Sequence, residues 1–206
     1  MPPAPAVHTW HKLHPTAGDL LISTSVSLLD RAWINDAFAT QDMYWAKRLP
    51  TDQLELLLQH STTLGMYKVL PPAGVRAAKE MDGEPSSPRT PSPTLEPELD
   101  VEAEATIEQI GVARLITDHV TFQYLTDVYL LPEYRTSGLG KWLVACCREV
   151  MDATPELRRS LLFTSPEVGR RFYERELGWW DVRDEQGLGC MTFRGWGFGE
   201  GGEKGS

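Results

Sequence analysis

An α/β fold built on a mixed sheet is what this sequence predicts, and three patterns predict it. Short runs rich in β-branched and aromatic residues alternate with stretches of helical periodicity. One of those stretches is strong: Leu139, Trp142, Leu143, Cys146, Cys147 and Val150 form a continuous helical face. A strand-like Val-Tyr-Leu-Leu run, a glycine-containing turn and that helix also follow one another without a gap.

Taken in order, residues 1–19 are Pro-rich at their start and are expected to form a flexible arm. Leu20 to Leu29 reads as a strand. Asp30 is placed to cap a helix that uses Trp33, Ile34, Ala37 and Phe38. Asp52 with Glu55 three residues on has the form of a capping box, and Leu54, Leu57 and Leu58 give the apolar stripe of a second helix. Thr63 to Leu70 and Ile107 to Asp118 read as strands on either side of an insert. That insert, 71–105, holds seven of the fifteen prolines and eight acidic side chains against three basic ones. It is expected to be disordered and to replace a hairpin turn, interrupting one domain of residues 20–194 rather than separating two. Tyr124 to Leu131 is the next strand, followed by the strong helix. Leu161 to Thr164 reads as a short buried strand, and Ser165-Pro166-Glu167 as the start of a helix that stops before Gly178. The Gly-rich stretch 195–206 reads as a floppy tail.

Composition narrows the function classes. The chain has 206 residues and a formal charge of −9, with 20 Lys plus Arg against 29 Asp plus Glu. A surface built to neutralise nucleic-acid phosphates is not expected from that balance. The insert supplies −5 of the charge, so the remainder is only mildly acidic. No apolar run approaches the roughly 20 residues of a membrane span. The first residues, Met-Pro-Pro-Ala-Pro, lack the basic and apolar regions of a secretory signal. The expected compartment is the cytoplasm, with the nucleus left open. Cys146, Cys147 and Cys190 are odd in number and read as structural thiols rather than a disulfide framework. His8, His11 and His14 recur every third residue but have no other ligand spacing around them, so no metal is expected.

The chemistry concentrates in Pro132-Glu133-Tyr134-Arg135-Thr136-Ser137-Gly138-Leu139-Gly140-Lys141. Its Arg-x-x-Gly-x-Gly core lies between a strand and a helix, so backbone N–H groups converge at a helix N-terminus and favour an anion. A Walker loop is excluded because Gly140-Lys141 is followed by Trp142 and has no glycine five residues before it. Gly197-x-Gly199-x-x-Gly202 matches a dinucleotide fingerprint literally, but it sits in the tail with no helix after it.

With Ile110-Gly111-Val112-Ala113-Arg114 and Asp127-Val128-Tyr129-Leu130-Leu131 ahead of it, this segment resembles the central strands and acetyl-CoA loop of the GNAT superfamily of N-acetyltransferases. Arg171-Phe172-Tyr173-Glu174-Arg175-Glu176-Leu177-Gly178-Trp179 resembles that family's Phe-Tyr-x-x-Leu-Gly-Phe helix end. The resemblance implies a mixed, mostly antiparallel twisted sheet with a central V-shaped splay, flanked by helices. It implies acetyl-CoA as cosubstrate, its pantetheine arm pairing with the backbone of Leu130 and Leu131. Arg135, Thr136, Ser137, Gly138, Leu139, Gly140 and Lys141 would hold the pyrophosphate. A primary amine on a small molecule or a peptide would attack the thioester directly, and Tyr173 would protonate the departing thiolate. Tyr44 and Trp45 lie where the family builds its acceptor site, and aromatic rings there suit a cationic amine.

Asp127 interrupts an apolar strand and is the first candidate for general base; pairing with a nearby arginine such as Arg114 is its alternative reading. Glu133 is the second candidate, and relay through water is a third route. The chain departs from the family pattern at Thr136, where glycine is usual, and at Glu176, an extra residue between Tyr and Gly. Ser165 to Gly169 also replace the Asp-Ala-His that one GNAT group carries. Those departures keep a rival in view, a catalytically degenerate acyl-CoA-binding sensor or interaction module. The oligomeric state stays open, a homodimer included.

Overall fold

A computed structural model describes residues 6–71, 106–165 and 167–191. Most of the insert, all of the 195–206 tail and Pro166 lie outside them. The chain divides into two compact units, 1–162 and 163–206.

The first unit is built on six strands: β1 (Thr9–His14), β2 (Gly18–Ser23), β3 (Ser61–Leu70), β4 (Thr106–Thr117), β5 (Phe122–Leu130) and β6 (Arg159–Leu162). Their order in the sheet follows their order in the chain. Every pairing is antiparallel except β5 with β6, which is parallel. Leu70 pairs with Thr106, so the insert joins two adjacent antiparallel strands, as the flanking patterns indicate.

Helices cover both faces. α1 (Arg31–Phe38) opens on Asp30, whose side chain accepts from the Trp33 amide as the sequence suggests. α2 (Thr51–Gln59) begins two residues earlier than a capping box on Asp52 would require. Asp52 therefore sits inside the first turn, and Glu55 turns outward to bond Arg31 Nε at 2.8 Å. Leu29, Ile34, Ala37, Phe38, Met43, Leu54 and Leu58 form one core with Val112 and Tyr129 of the sheet. α3 (Leu139–Asp152) packs against β3, β4 and β5. Side chains alternate along a strand, and Leu130, next to Tyr129, points at Gly140 of α3, so α3 lies on the face opposite α1 and α2.

Three expectations are corrected. The stretch expected as a flexible arm contains β1 and the first two residues of β2: Thr9–His14 pairs with Gly18–Ser23 across a Pro-Thr-Ala-Gly turn. β6 spans Arg159–Leu162, earlier than expected, and is only partly buried. Cys146 and Cys147 are buried in α3, whereas Cys190 is exposed.

In the second unit, α4 (Val168–Leu177) ends on Gly178, whose left-handed φ of 67° stops the helix where the sequence indicates. Ser165 serves its start from four residues upstream of Gly169, accepting that amide on Oγ at 3.1 Å.

Candidate active site

The parallel pairing of β5 and β6 stops at Leu125 with Leu162, while β5 runs on through Leu130. Thr126 to Leu130 therefore have β4 on one side and, among the described residues, no strand on the other. The Leu131 amide donates to Ile110 O at 3.0 Å, so it belongs to the β4 ladder. Gly111 faces Leu130 in the same register, and the antiparallel alternation turns the backbone groups of Leu130 toward the open edge. The two leucines expected to pair with a ligand thus differ: Leu130 faces the edge and Leu131 is used within the sheet.

A bulge interrupts the open stretch. Between the Val112–Tyr129 and Arg114–Thr126 pairs, β5 advances three residues while β4 advances two. Asp127 sits in that bulge at φ 52°, a left-handed conformation that Asp adopts more readily than most residues. Its carboxylate is buried and receives four donors. Arg114 Nε and one terminal nitrogen both reach Oδ2 at 2.7 Å. Trp45 Nε1 and Thr126 Oγ1 reach Oδ1 at 3.1 and 3.2 Å. Of the two readings open for Asp127, pairing with Arg114 is the geometry found, and its oxygens are filled by donors. Nearby, burial is the main influence raising the Tyr124 hydroxyl pKa; the Asp127 charge adds to it, and Thr126 and Arg114 oppose it.

Trp45 brings the α1–α2 connection onto this bulge. Tyr44 meets it edge to face at 5.0 Å between centroids and is 77% exposed. From the same connection Asp42 accepts from an Arg135 terminal nitrogen at 2.7 Å. Arg135 Nε donates to Leu130 O at 2.9 Å, and its guanidinium lies 5.2 Å over the Tyr129 ring. Arg135, expected on a pyrophosphate, is thus held beside the open edge by Asp42, Leu130 and Tyr129. Neither Asp42 nor the Trp45–Asp127 bond has a local signal in the sequence.

The loop from β5 to α3 begins with a single 3-10 turn, Pro132–Tyr134, with Glu133 exposed upon it. The Arg135 amide donates to Pro132 O at 3.2 Å and the Ser137 amide to Arg135 O at 2.6 Å. Those two amides are used within the loop. Gly138 caps α3 at φ 84°, and Gly138, Leu139, Gly140 and Lys141 present the amides that a helix start leaves without intrahelical partners. A Cβ on Gly138 would meet nothing within 4 Å, so its glycine serves conformation rather than space. Thr136 also has a positive φ, 59°, which explains why glycine suits that position better. A pyrophosphate fits such a helix start, which offers the leading backbone amides and the positive end of a 14-residue helix.

Tyr173 lies in the second unit, on α4, with Phe172 edge to face at 5.1 Å. Leu177, one turn on, shares its face and is buried. The helix is continuous through Glu176, so the extra residue is absorbed without a break. No group of three His, Cys, Asp or Glu among the described residues could hold a metal. The strand alternation turns His11 to the face opposite His8 and His14. None of the helices of the described residues is long and apolar enough to cross a membrane.

Comparison with known proteins gives a consistent picture. The profile of the Acetyltransferase (GNAT) family matches residues 84–179. A Gibberella zeae protein named "Putative acetyltransferase FG08082" is 35% identical over 173 residues, 84% of this chain and 86% of that one. A solved structure from Xanthomonas campestris pv. campestris, described as a "putative acetyltransferase belonging to the gnat family", shares 27% identity. Its TM-score is 0.52, covering 93% of this chain and 96% of that one. A Deinococcus radiodurans structure, described as a "putative acetyltransferase", is like it in fold alone, at TM-score 0.50 and 16% identity over 89% of this chain and 93% of that one. The glycine-capped start of α3, the open edge on β5 and these relatives agree: the chain belongs to the GNAT acetyltransferase family and is an acyltransferase.

Proposed function

We propose that the protein transfers the acetyl group of acetyl-CoA directly to a primary amine, borne by a small molecule or a peptide. The observation that carries this is the junction of two features: β5 loses its parallel partner after Leu125, and thirteen residues later, at Gly138, the chain enters the helix start of α3. A linear thioester whose pantetheine arm leads to a pyrophosphate matches that order. Its pyrophosphate would lie on the amides of Gly138 to Lys141, and Arg135 would join it on exchanging Asp42 for phosphate oxygen. Its pantetheine arm would extend along the edge offered by Leu130.

The thioester supplies an electrophilic carbonyl; the protein's part is to hold the amine against it. Tyr44 and Trp45 offer exposed aromatic surface suited to a cationic amine before it loses its proton. Asp127, filled by Arg114, Trp45 and Thr126, is read as the anchor that fixes Trp45. Deprotonation is then assigned to solvent. Tyr173 is assigned as the acid that returns a proton to the leaving thiolate, on the family motif it occupies.

The test is calorimetric titration of acetyl-CoA and CoA, followed by thiol release with a panel of amines. Binding with release for one amine class is expected, with turnover lowered at least tenfold in Tyr173→Phe and acetyl-CoA affinity kept. Binding without release from any amine would select the sensor reading, and no binding would remove the donor site altogether.

A further inference from the structure

β1 runs along α3. Three alternate residues, which therefore share one face, reach that helix or the loop before it. Trp10 Nε1 donates to Glu149 Oε2 at 2.7 Å, Lys12 Nζ lies 5.1 Å over the Trp142 ring, and His14 Nε2 meets Ser137 O at 3.1 Å. The last contact touches the donor-binding loop itself. His14 Nδ1 lies within bonding distance of the backbone amides of Thr16 and Ala17, at 3.3 and 3.2 Å. Amides only donate, so Nδ1 accepts and the ring proton sits on Nε2, directed at Ser137 O.

Ser137 stands between two left-handed residues, Thr136 at φ 59° and Gly138 at φ 84°. No cis peptide bond occurs among the described residues. In a trans peptide the C=O and the following N–H point in opposite directions. Fixing the Ser137 carbonyl toward His14 therefore aims the Gly138 N–H away from β1. Gly138 N–H is the first amide at the start of α3, and glycine's freedom of φ would otherwise let that peptide turn over.

We propose that His14 is a positioning residue for acetyl-CoA: through Ser137 O it orients the Gly138 amide toward the pyrophosphate. The proposal rests on the assignment of this loop as the donor site, and His14 itself touches no ligand.

Three variants separate this role from a structural one. Glutamine places its amide nitrogen near the position of Nε2 and keeps the donor to Ser137, whereas asparagine keeps only a group near Nδ1 for the Thr16–Ala17 turn. Acetyl-CoA is compared with acetylpantetheine, which lacks the pyrophosphate, in the thiol-release assay, with acetyl-CoA affinity also read by calorimetry. Loss of one hydrogen bond to a charged group corresponds to about tenfold in affinity. His14→Ala and His14→Asn are expected to bind acetyl-CoA about tenfold more weakly with kcat little changed, and His14→Gln to bind within about twofold of the unaltered protein. All three should keep their kcat/KM for acetylpantetheine. Rescue by asparagine instead of glutamine, or an equal loss with acetylpantetheine, would overturn the role of His14. Failure of the unaltered protein to bind acetyl-CoA would overturn the donor-site assignment itself, a separate outcome.

Discussion

Removing Arg114 isolates the energetics of the bulge. In Arg114→Met the Asp127 carboxylate, its side chain 6% exposed, loses both donors to Oδ2 and keeps only Trp45 and Thr126 on Oδ1. The charge would then be buried beside neutral donors alone. Breaking a buried ion pair by deleting one partner costs about 3–5 kcal/mol. In a protein of this size that lowers Tm by about 10 °C. The double variant Arg114→Met with Asp127→Asn removes the stranded charge. Asparagine tolerates the left-handed φ of 52° and still accepts from Trp45 and Thr126, so most of the loss should return. Thermal melts of the two variants at pH 7 decide the matter. A double variant as unstable as the single one would refute the reasoning, since it would place the cost in the packing of the arginine stem and not in the pairing. Retained turnover in the double variant would agree with Asp127 as an anchor; its loss would restore it as a base.

Two further outcomes follow from local geometry. Thr136→Gly should raise stability by about 1 kcal/mol, because a β-branched residue at φ 59° is strained and glycine is not; an unchanged or lower Tm would show that the loop compensates. The Tyr67 hydroxyl is buried without a hydrogen-bond partner among the described residues, so Tyr67→Phe should be neutral or stabilising by up to about 1 kcal/mol. Burial pushes the Tyr67 pKa well up, so its contribution is complete below the unfolded value near 10 and is lost as pH rises beyond it. The alkaline decline in stability should accordingly be shallower in Tyr67→Phe, which a set of melts from pH 8 to about 11 would measure.

Much of the sheet and of the β5–α3 loop is legible in the sequence because both are written locally. The apolar face of 139–150 dictates α3, Asp30 caps α1, and Gly138 stands where the backbone must turn left-handed. What the sequence hides is pairing over distance. Asp127 meets Arg114 thirteen residues away and Trp45 eighty-two residues away, and no spacing rule reports either. Glu55 has the capping spacing but finds Arg31, an ion pair made only once α1 and α2 stand side by side. β1 escapes notice because its neighbours in sequence are prolines and its apolar side chains are few; the hairpin with β2 and the anchorage on α3 hold it instead.

The strap of β1 on α3 also bears on how the chain is made. The sheet can assemble in the order of synthesis, each strand joining the one before it. Trp10 and His14, however, find their partners 139 and 123 residues later. A ribosome adding about 5–20 residues per second would expose the inward face of β1 for several seconds before α3 emerges to cover it. The first strand of this sheet to be made is therefore among the last to be secured, and the loop that His14 steadies takes its final form only when the chain from β1 through α3 has been made.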